Sequence, residues 1–328
     1  MRRMRRFVGI WMALVLGLAL ALPGSAVAKG SRDVRVERRE FPVRLSDGHT
    51  YTVVGYLYYQ GSLKHRPVQI LTHGITYNHE YWDLPEIDGR NYSYARYMAR
   101  QGYAVLAVDL PGTGESDRPD GDFINLAESA SALHQVAQYL RVTAPKHTFE
   151  KLIYVGHSNG ALISTFAQAL YGDAQALVMT GWLNTLHSVP VDEATIGALL
   201  AQGPYVRVPD ELRTALFYDV ANADPDVITY DNQVADTVTR GQLTDLLTML
   251  ASPELIPVQD IRVPLLVQLG ENDVVANASY ARNEAKAYPR SPFVWVDTLP
   301  NIGHAVNGHS TRLQSWAGID LFLRLVVR

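Results

Sequence analysis

Lys151-Leu152-Ile153-Tyr154-Val155-Gly156-His157-Ser158-Asn159-Gly160-Ala161-Leu162-Ile163-Ser164-Thr165-Phe166-Ala167-Gln168-Ala169-Leu170 carries more information about this chain than any other stretch. Residues 151–155 are a β-branched, aromatic-containing run that reads as a strand, and residues 161–170 read as a helix that stops at Gly172. Between them Ser158 occupies a tight strand-to-helix turn, a nucleophile elbow. Such a turn is crowded, so the positions two before and two after the serine must be tiny; they are Gly156 and Gly160. The turn lifts the Ser158 hydroxyl above the sheet edge and aims the N–H groups of the helix start at whatever the serine attacks.

On both sides of the elbow the chain alternates strand with helix. Val34 to Leu45 and Thr50 to Tyr59 alternate apolar with polar residues around Ser46-Asp47-Gly48, which predicts an antiparallel hairpin. Residues 68–72, 104–108, 152–155, 176–179, 264–269 and 293–296 are short, nearly continuous apolar runs, as expected of strands buried on both faces. Amphipathic segments at 92–101, 124–142, 279–288 and 311–326 separate them. This predicts an α/β fold with a doubly wound, mostly parallel sheet, whose functional groups gather at the carboxyl ends of the strands. Residues 183–259 break the alternation: they show no convincing strand, helix starts at Asp192, Pro209 and Asp224-Pro225, and leucines at helical spacing. They read as a helical insertion, or cap, between core segments 29–182 and 260–328.

The amino-terminus has the layout of a secretory signal peptide over residues 1–28. Met1 to Arg6 holds four arginines, Phe7 to Leu22 is apolar, and Ala26-Val27-Ala28 offers a small–x–small cleavage site. The apolar run is short for a membrane span. The expectation is an exported protein with no stable membrane insertion after processing, by a route the sequence leaves open. Losing four arginines lowers the formal net charge of −4 by four, to −8, a poor match for nucleic acid or an anionic membrane. There is no cysteine, which excludes thiol nucleophiles and thiolate metal sites, and 47% hydrophobic residues suffice for a core without disulfides.

Three loops that follow strands complete a constellation. His73-Gly74-Ile75 comes after residues 68–72, where the glycine lets the backbone approach the serine, so the N–H groups of Ile75 and Asn159 are candidate oxyanion donors. Asp273 follows residues 264–269 and is favoured over Glu271 and Asp297 as the acid that orients a histidine. His304 follows residues 293–296 in a glycine-containing loop and is favoured over His309 as the base. His49, His65, His134 and His147 fall on strands, turns or helix surfaces with no evident partner, and His157 is expected to point away from the serine's side of the turn. A serine hydroxyl needs an adjacent base, and a neutral imidazole oriented by a carboxylate supplies one. His73 and His79 lack the spacing and partners of a metal-ligand set, so no metal is expected.

With the chain order Ser158, Asp273, His304, the sequence resembles the α/β-hydrolase superfamily from about Val34 to Arg328. Asp109-Leu110-Pro111-Gly112-Thr113-Gly114-Glu115-Ser116 resembles that family's D-x-x-G-x-G-x-S loop, and His73-Gly74 its oxyanion-loop H-G. The resemblance implies an eight-stranded, mostly parallel sheet, a catalytic triad of those three residues, a helical cap at 183–259 and no cofactor. Relatives with Asp at the elbow are dehalogenases and epoxide hydrolases; Ser158 speaks against their chemistry. Relatives with an H-G-G-G loop have more glycine than His73-Gly74-Ile75, and proline-specific aminopeptidases often have G-G-S-x-G where this chain has His157. The expected activity is hydrolysis of a carboxylic ester, thioester or lactone through an acyl-enzyme on Ser158. An exopeptidase is the alternative and would need a fixed carboxylate in the cap, from Glu193, Glu211, Asp219, Asp224, Asp226 or Asp236. A non-catalytic binding protein on the same fold would be expected to have a broken triad. Trp182, Leu186, Phe217, Tyr218, Tyr230 and Leu247 are the expected walls of the substrate site.

Overall fold

The computed structural model describes residues 33–143, 149–185 and 189–327. The expected signal peptide, its cleavage site, His147 and Leu186 lie outside the described residues. Among these residues eight strands form one sheet: β1 (Arg35–Arg44), β2 (Thr50–Tyr59), β3 (Val68–Thr72), β4 (Ala104–Val108), β5 (Leu152–His157), β6 (Ala176–Thr180), β7 (Leu265–Gly270) and β8 (Val294–Leu299). Their spatial order is β1-β2-β4-β3-β5-β6-β7-β8. β1 pairs antiparallel with β2, and β2 antiparallel with β4; every later pairing is parallel.

Nine α-helices accompany the sheet among the described residues. They are α1 (Tyr94–Arg100), α2 (Leu126–Gln138), α3 (Asn159–Tyr171), α4 (Glu193–Leu200), α5 (Asp210–Phe217), α6 (Pro225–Gln233), α7 (Arg240–Ala251), α8 (Ala281–Glu284) and α9 (Arg312–Val326). The strands β3 to β7 are buried at every position, so the sheet needs cover on both faces. Successive side chains of a strand point to opposite faces. Ile70, Leu106, Tyr154 and Val267 join α2 and α3 in one apolar cluster, while Leu71, Ala107, Val155 and Leu266 join α1 and α9 in another.

Local chemistry starts these helices, at Asp192 and Asp224 where the sequence predicts. The side chains of Ser93, Asn125, Asp192, Asp224 and Thr239 each accept a backbone N–H in the first turn of the helix that follows. Two expectations need correction. The segment 279–288 forms only a 3₁₀ turn at Ala278–Tyr280 and the single-turn α8, after which Lys286 N and Ala287 N donate three residues back, to Asn283 O and Glu284 O, ahead of Pro289. The insert is not wholly free of strand: Tyr205–Val206 and Val238–Thr239 pair antiparallel. Two residues are too short a ladder to show any period.

Candidate active site

The strand β5 ends at His157 and α3 begins at Asn159, so Ser158 alone makes the turn between them. Its backbone has φ 53° and ψ −124°, a left-handed conformation that costs a non-glycine residue about 1–3 kcal/mol. Two hydrogen bonds enforce it. Ser158 N donates to Thr180 O at 2.9 Å, and Ala161 N donates to Ser158 O at 2.9 Å. The flanking glycines are sterically required, since a Cβ on Gly156 would lie 2.5 Å from Ala161 Cα and one on Gly160 would lie 2.2 Å from Thr72 O. Ser158 caps α3 by position only; its side chain makes no capping bond, which leaves the hydroxyl to another partner.

That partner is His304. Its Nε2 lies 2.9 Å from Ser158 Oγ and its Nδ1 lies 2.9 Å from Asp273 Oδ2. The other carboxylate oxygen of Asp273 accepts the N–H groups of Val275 at 2.7 Å and Ala276 at 2.8 Å, which fixes its plane. An ionised carboxylate only accepts, so Nδ1 carries the imidazole proton and Nε2 turns a lone pair to the serine. All three residues are buried, Ser158 least so at 8% exposure. The arrangement can take the serine's proton as Oγ attacks and hold the resulting imidazolium against Asp273. The rivals stand elsewhere: Glu271 is exposed, Asp297 lies along β8, and neither bonds His304 among the described residues.

His309, the competing base, is a brace for the His304 loop. Its Nε2 accepts the N–H of Gly303 and that of Asp219, each at 3.0 Å, and its Nδ1 donates to Ala305 O at 2.9 Å. Burial pushes its pKa below the ordinary 6.5, in keeping with a neutral acceptor. His157 departs from expectation. Its ring does not turn away but packs 5.0 Å from that of His304 and stacks on Tyr81 at 4.4 Å. Burial and the neighbouring His304 hold it neutral, well below 6.5. His134 also has a partner, Asp173 Oδ2 at 2.9 Å, and stacks on Tyr171.

On the opposite side of Ser158, Gly74 brings the backbone so close that a Cβ there would lie 3.0 Å from Ser158 Cβ. His73 sets the direction of this loop: its Nδ1 donates to Gly74 O at 2.8 Å and its Nε2 accepts Leu110 N at 3.2 Å. The N–H groups of Ile75 and Asn159 meet no acceptor among the described residues. The glycines of the 109–116 loop have a separate task. A Cβ on Gly114 would collide with the Asp109 carboxylate, which accepts Glu115 N at 2.9 Å.

Above Ser158 lies a cavity of about 80 Å³, and apart from Ser158 and His304 every residue lining it is apolar. The core contributes Ile75, Trp182 and Val275, and the insert contributes, among others, Leu199, Leu216, Phe217, Leu243, Leu247 and Leu250. Trp182, Phe217 and Leu247 therefore stand where the sequence places them. Tyr218 and Tyr230 do not: Tyr218 stacks on His309 and Tyr230 packs beside Leu84 and bonds Glu80. Neighbouring residues at the end of α5 point in different directions, and only one can face the serine. Glu284, which the sequence reading missed, anchors the entry to the insert through Asn184 and Thr185, and Trp182 Nε1 donates to Asn184 Oδ1 at 2.8 Å.

None of the six acids considered for an exopeptidase lines the cavity. Asp236 accepts Gly114 N and pairs with Arg118, Asp219 accepts from Asn222 and Asn272, and Asp224 caps α6. Among the described residues one group of three potential metal ligands lies together, Asp88, Asp224 and Asp226, of which Asp88 and Asp226 are exposed. These carboxylates lie on segments that contribute nothing to the wall of the cavity above Ser158.

Comparison with known proteins agrees with this architecture. The family model described as alpha/beta hydrolase family matches residues 69–313. A polyketide transferase, ATR5, from Stachybotrys chlorohalonatus is 30% identical over 143 residues, and the match spans 44% of either chain. A thermophilic esterase from Thermogutta terrifontis superposes with a TM-score of 0.65 at 19% identity, covering 89% of this chain and 100% of its own. A bromoperoxidase from Bacillus anthracis gives 0.66 at 18% identity, covering 88% and 100%. At such identities these two likenesses speak to the fold alone. Family membership supports a hydrolase, and the chain belongs to the alpha/beta hydrolase family.

Proposed function

We propose that this protein is an exported serine hydrolase that cleaves carboxylic esters through an acyl-enzyme on Ser158. The observation that carries the reading is the hydrogen-bonded series Asp273–His304–Ser158 opening into an apolar cavity. In the proposed cycle Ser158 Oγ attacks the acyl carbon while His304 Nε2 takes its proton. The N–H groups of Ile75 and Asn159 hold the oxyanion. His304 returns the proton to the departing alcohol and then removes one from the water that releases the acid. The apolar wall suits an aliphatic or aryl acyl group. It gives no fixed carboxylate for a free amino terminus, which favours an ester over an aminopeptidase substrate. The unbroken series of three side chains speaks against a binding protein that has lost its chemistry. Export is inferred from residues 1–28 alone, with a mature chain beginning at or near Lys29.

The test is a screen of the purified mature protein on p-nitrophenyl esters of graded length and on aminoacyl-anilides, beside labelling with a fluorophosphonate. Ester turnover, with labelling in the wild type and none in Ser158→Ala, supports the reading. Turnover of anilides alone, or labelling that persists in Ser158→Ala, overturns it.

A further inference from the structure

The two N–H groups to which an oxyanion is assigned lie on backbone that the helical insert grips. Thr76, directly after Ile75, has φ +64°, a left-handed conformation that a β-branched residue adopts only under constraint. The constraint comes from across the cap boundary. Arg213 of α5 donates through Nη1 to Thr76 O at 3.0 Å and to Thr76 Oγ1, and Asp236 N donates to the same carbonyl at 2.9 Å. The guanidinium is fully buried, and its remaining donors are fixed by Asn232 Oδ1 at 3.1 Å and Asp231 Oδ2 at 2.5 Å. It also lies over the ring of Tyr77, 4.9 Å from its centroid. The second donor residue is held the same way. Asn159 Nδ2 donates to Gln242 Oε1 of α7 at 3.1 Å, and Gln242 Nε2 donates to Ser129 Oγ at 3.0 Å.

A buried ion pair is a weak source of stability, because desolvation of both charges offsets their attraction, and apolar residues of similar volume often serve as well. What apolar residues cannot do is present a planar fork that holds a carboxylate and a backbone carbonyl together. Resting on the serine-hydrolase reading above, we infer that Arg213 and Gln242 are positioning residues for the oxyanion-binding N–H groups of Ile75 and Asn159. The insert is then part of the catalytic geometry as well as the wall of the cavity. It cannot swing off the α5 and α7 side without releasing Thr76 and Asn159.

The experiment uses Arg213→Lys, which keeps a charge for Asp231 but loses the fork, and Gln242→Leu, which keeps the shape without the acceptor. p-Nitrophenyl acetate is the substrate, because it is too small to depend on the cavity wall, and an alkyl boronic acid mimics the tetrahedral intermediate on Ser158. Losing one oxyanion donor outright costs roughly 10²–10³-fold in kcat. Displacing one should cost about 10-fold, with KM changed less than about 2-fold and the boronic acid Ki raised in step with the loss of kcat. A purely structural role would lower Tm and leave both kcat and boronic acid affinity at wild-type values, and that result overturns the inference. Should Arg213→Lys fail to fold, Gln242→Leu decides by the same readouts. A wild type that neither turns over acetate nor takes the fluorophosphonate label overturns the hydrolase reading, and this inference with it. Labelled, active wild type with unaffected variants overturns the inference alone.

Discussion

Ser158 keeps a backbone conformation that few serines adopt, and the hydrogen bonds and close contacts around it hold it there. The same over-determination extends to Asp273, whose two oxygens accept three N–H groups: two from the backbone and one from His304. Asp273→Asn should therefore fold, because the amide can still accept from Val275 and Ala276. Its NH₂ would face Nδ1 and drive the imidazole into the wrong tautomer. A loss of kcat of roughly 10⁴-fold is expected, with thermal unfolding close to wild type, and steady-state kinetics beside calorimetry check both. Ser158, Asp273 and His304 were legible in the sequence because each stands in a short loop after an apolar run, and the strand ends fix where such loops lie. The packing of His157 against His304 and the turning of Tyr218 towards His309 were not legible. They depend on which way a side chain leaves irregular backbone, and contacts between distant segments settle that.

Elements reproduce the sequence pattern best where one period dominates. The buried strands and the capped helices α1, α2, α4, α6 and α7 follow from apolar runs and from Ser, Thr, Asn or Asp at the first turn. The reading fails where the chain tightens into three-residue turns, as after α8, where Lys286 and Ala287 donate to Asn283 and Glu284 ahead of Pro289. At the junction of β5 and α3 the tolerance for change is smallest. A methyl on Gly160 would meet the carbonyls of Thr72 at 2.2 Å and His73 at 2.4 Å, backbone atoms at the end of β3 and of the residue that follows it. Gly160→Ala must therefore push α3 away from β3 and Gly74 away from Ser158. The expected outcome is a loss of about 1–3 kcal/mol in urea unfolding, the usual cost of overpacking, together with a fall in kcat. Wild-type stability and activity in this variant would contradict the packing described.

Across the whole molecule, three buried histidines contribute to the response to acid. Burial lowers the pKa values of His73, His157 and His309 below 6.5. Below pH 6.5 the unfolded chain binds protons at these sites that the native state refuses. Their stabilisation is complete above that pH and is lost as pH falls through the lowered native values. The buried carboxyls of Glu284 and Asp231, pushed up, act in the opposite sense. The histidine share is isolated by His309→Gln, whose Oε1 can still accept from Gly303 and Asp219. Between pH 6.5 and the native pKa, its unfolding free energy should depend less steeply on pH than that of the wild type, by up to about 1.4 kcal/mol per pH unit. Parallel dependences would remove His309 from the acid response. The cavity gives the last expectation at this scale. Its walls come from two separate parts of the chain, the core around Ser158 and the insert, and apart from Ser158 and His304 they are apolar. Each methylene buried there contributes about 0.8 kcal/mol, so kcat/KM should rise roughly fourfold per added carbon until the cavity of about 80 Å³ is full, and then level off or fall. An apolar wall discriminates by size and not by hydrogen bonds, so the profile should be broad. Leu247→Trp, on the insert side of the cavity, reduces the free volume and should move the optimum to shorter acyl chains, with acetate affected far less than octanoate. The measurement is the ratio of kcat/KM values across the ester series in wild type and variant. An optimum that does not move would mean that the acyl chain lies outside this cavity.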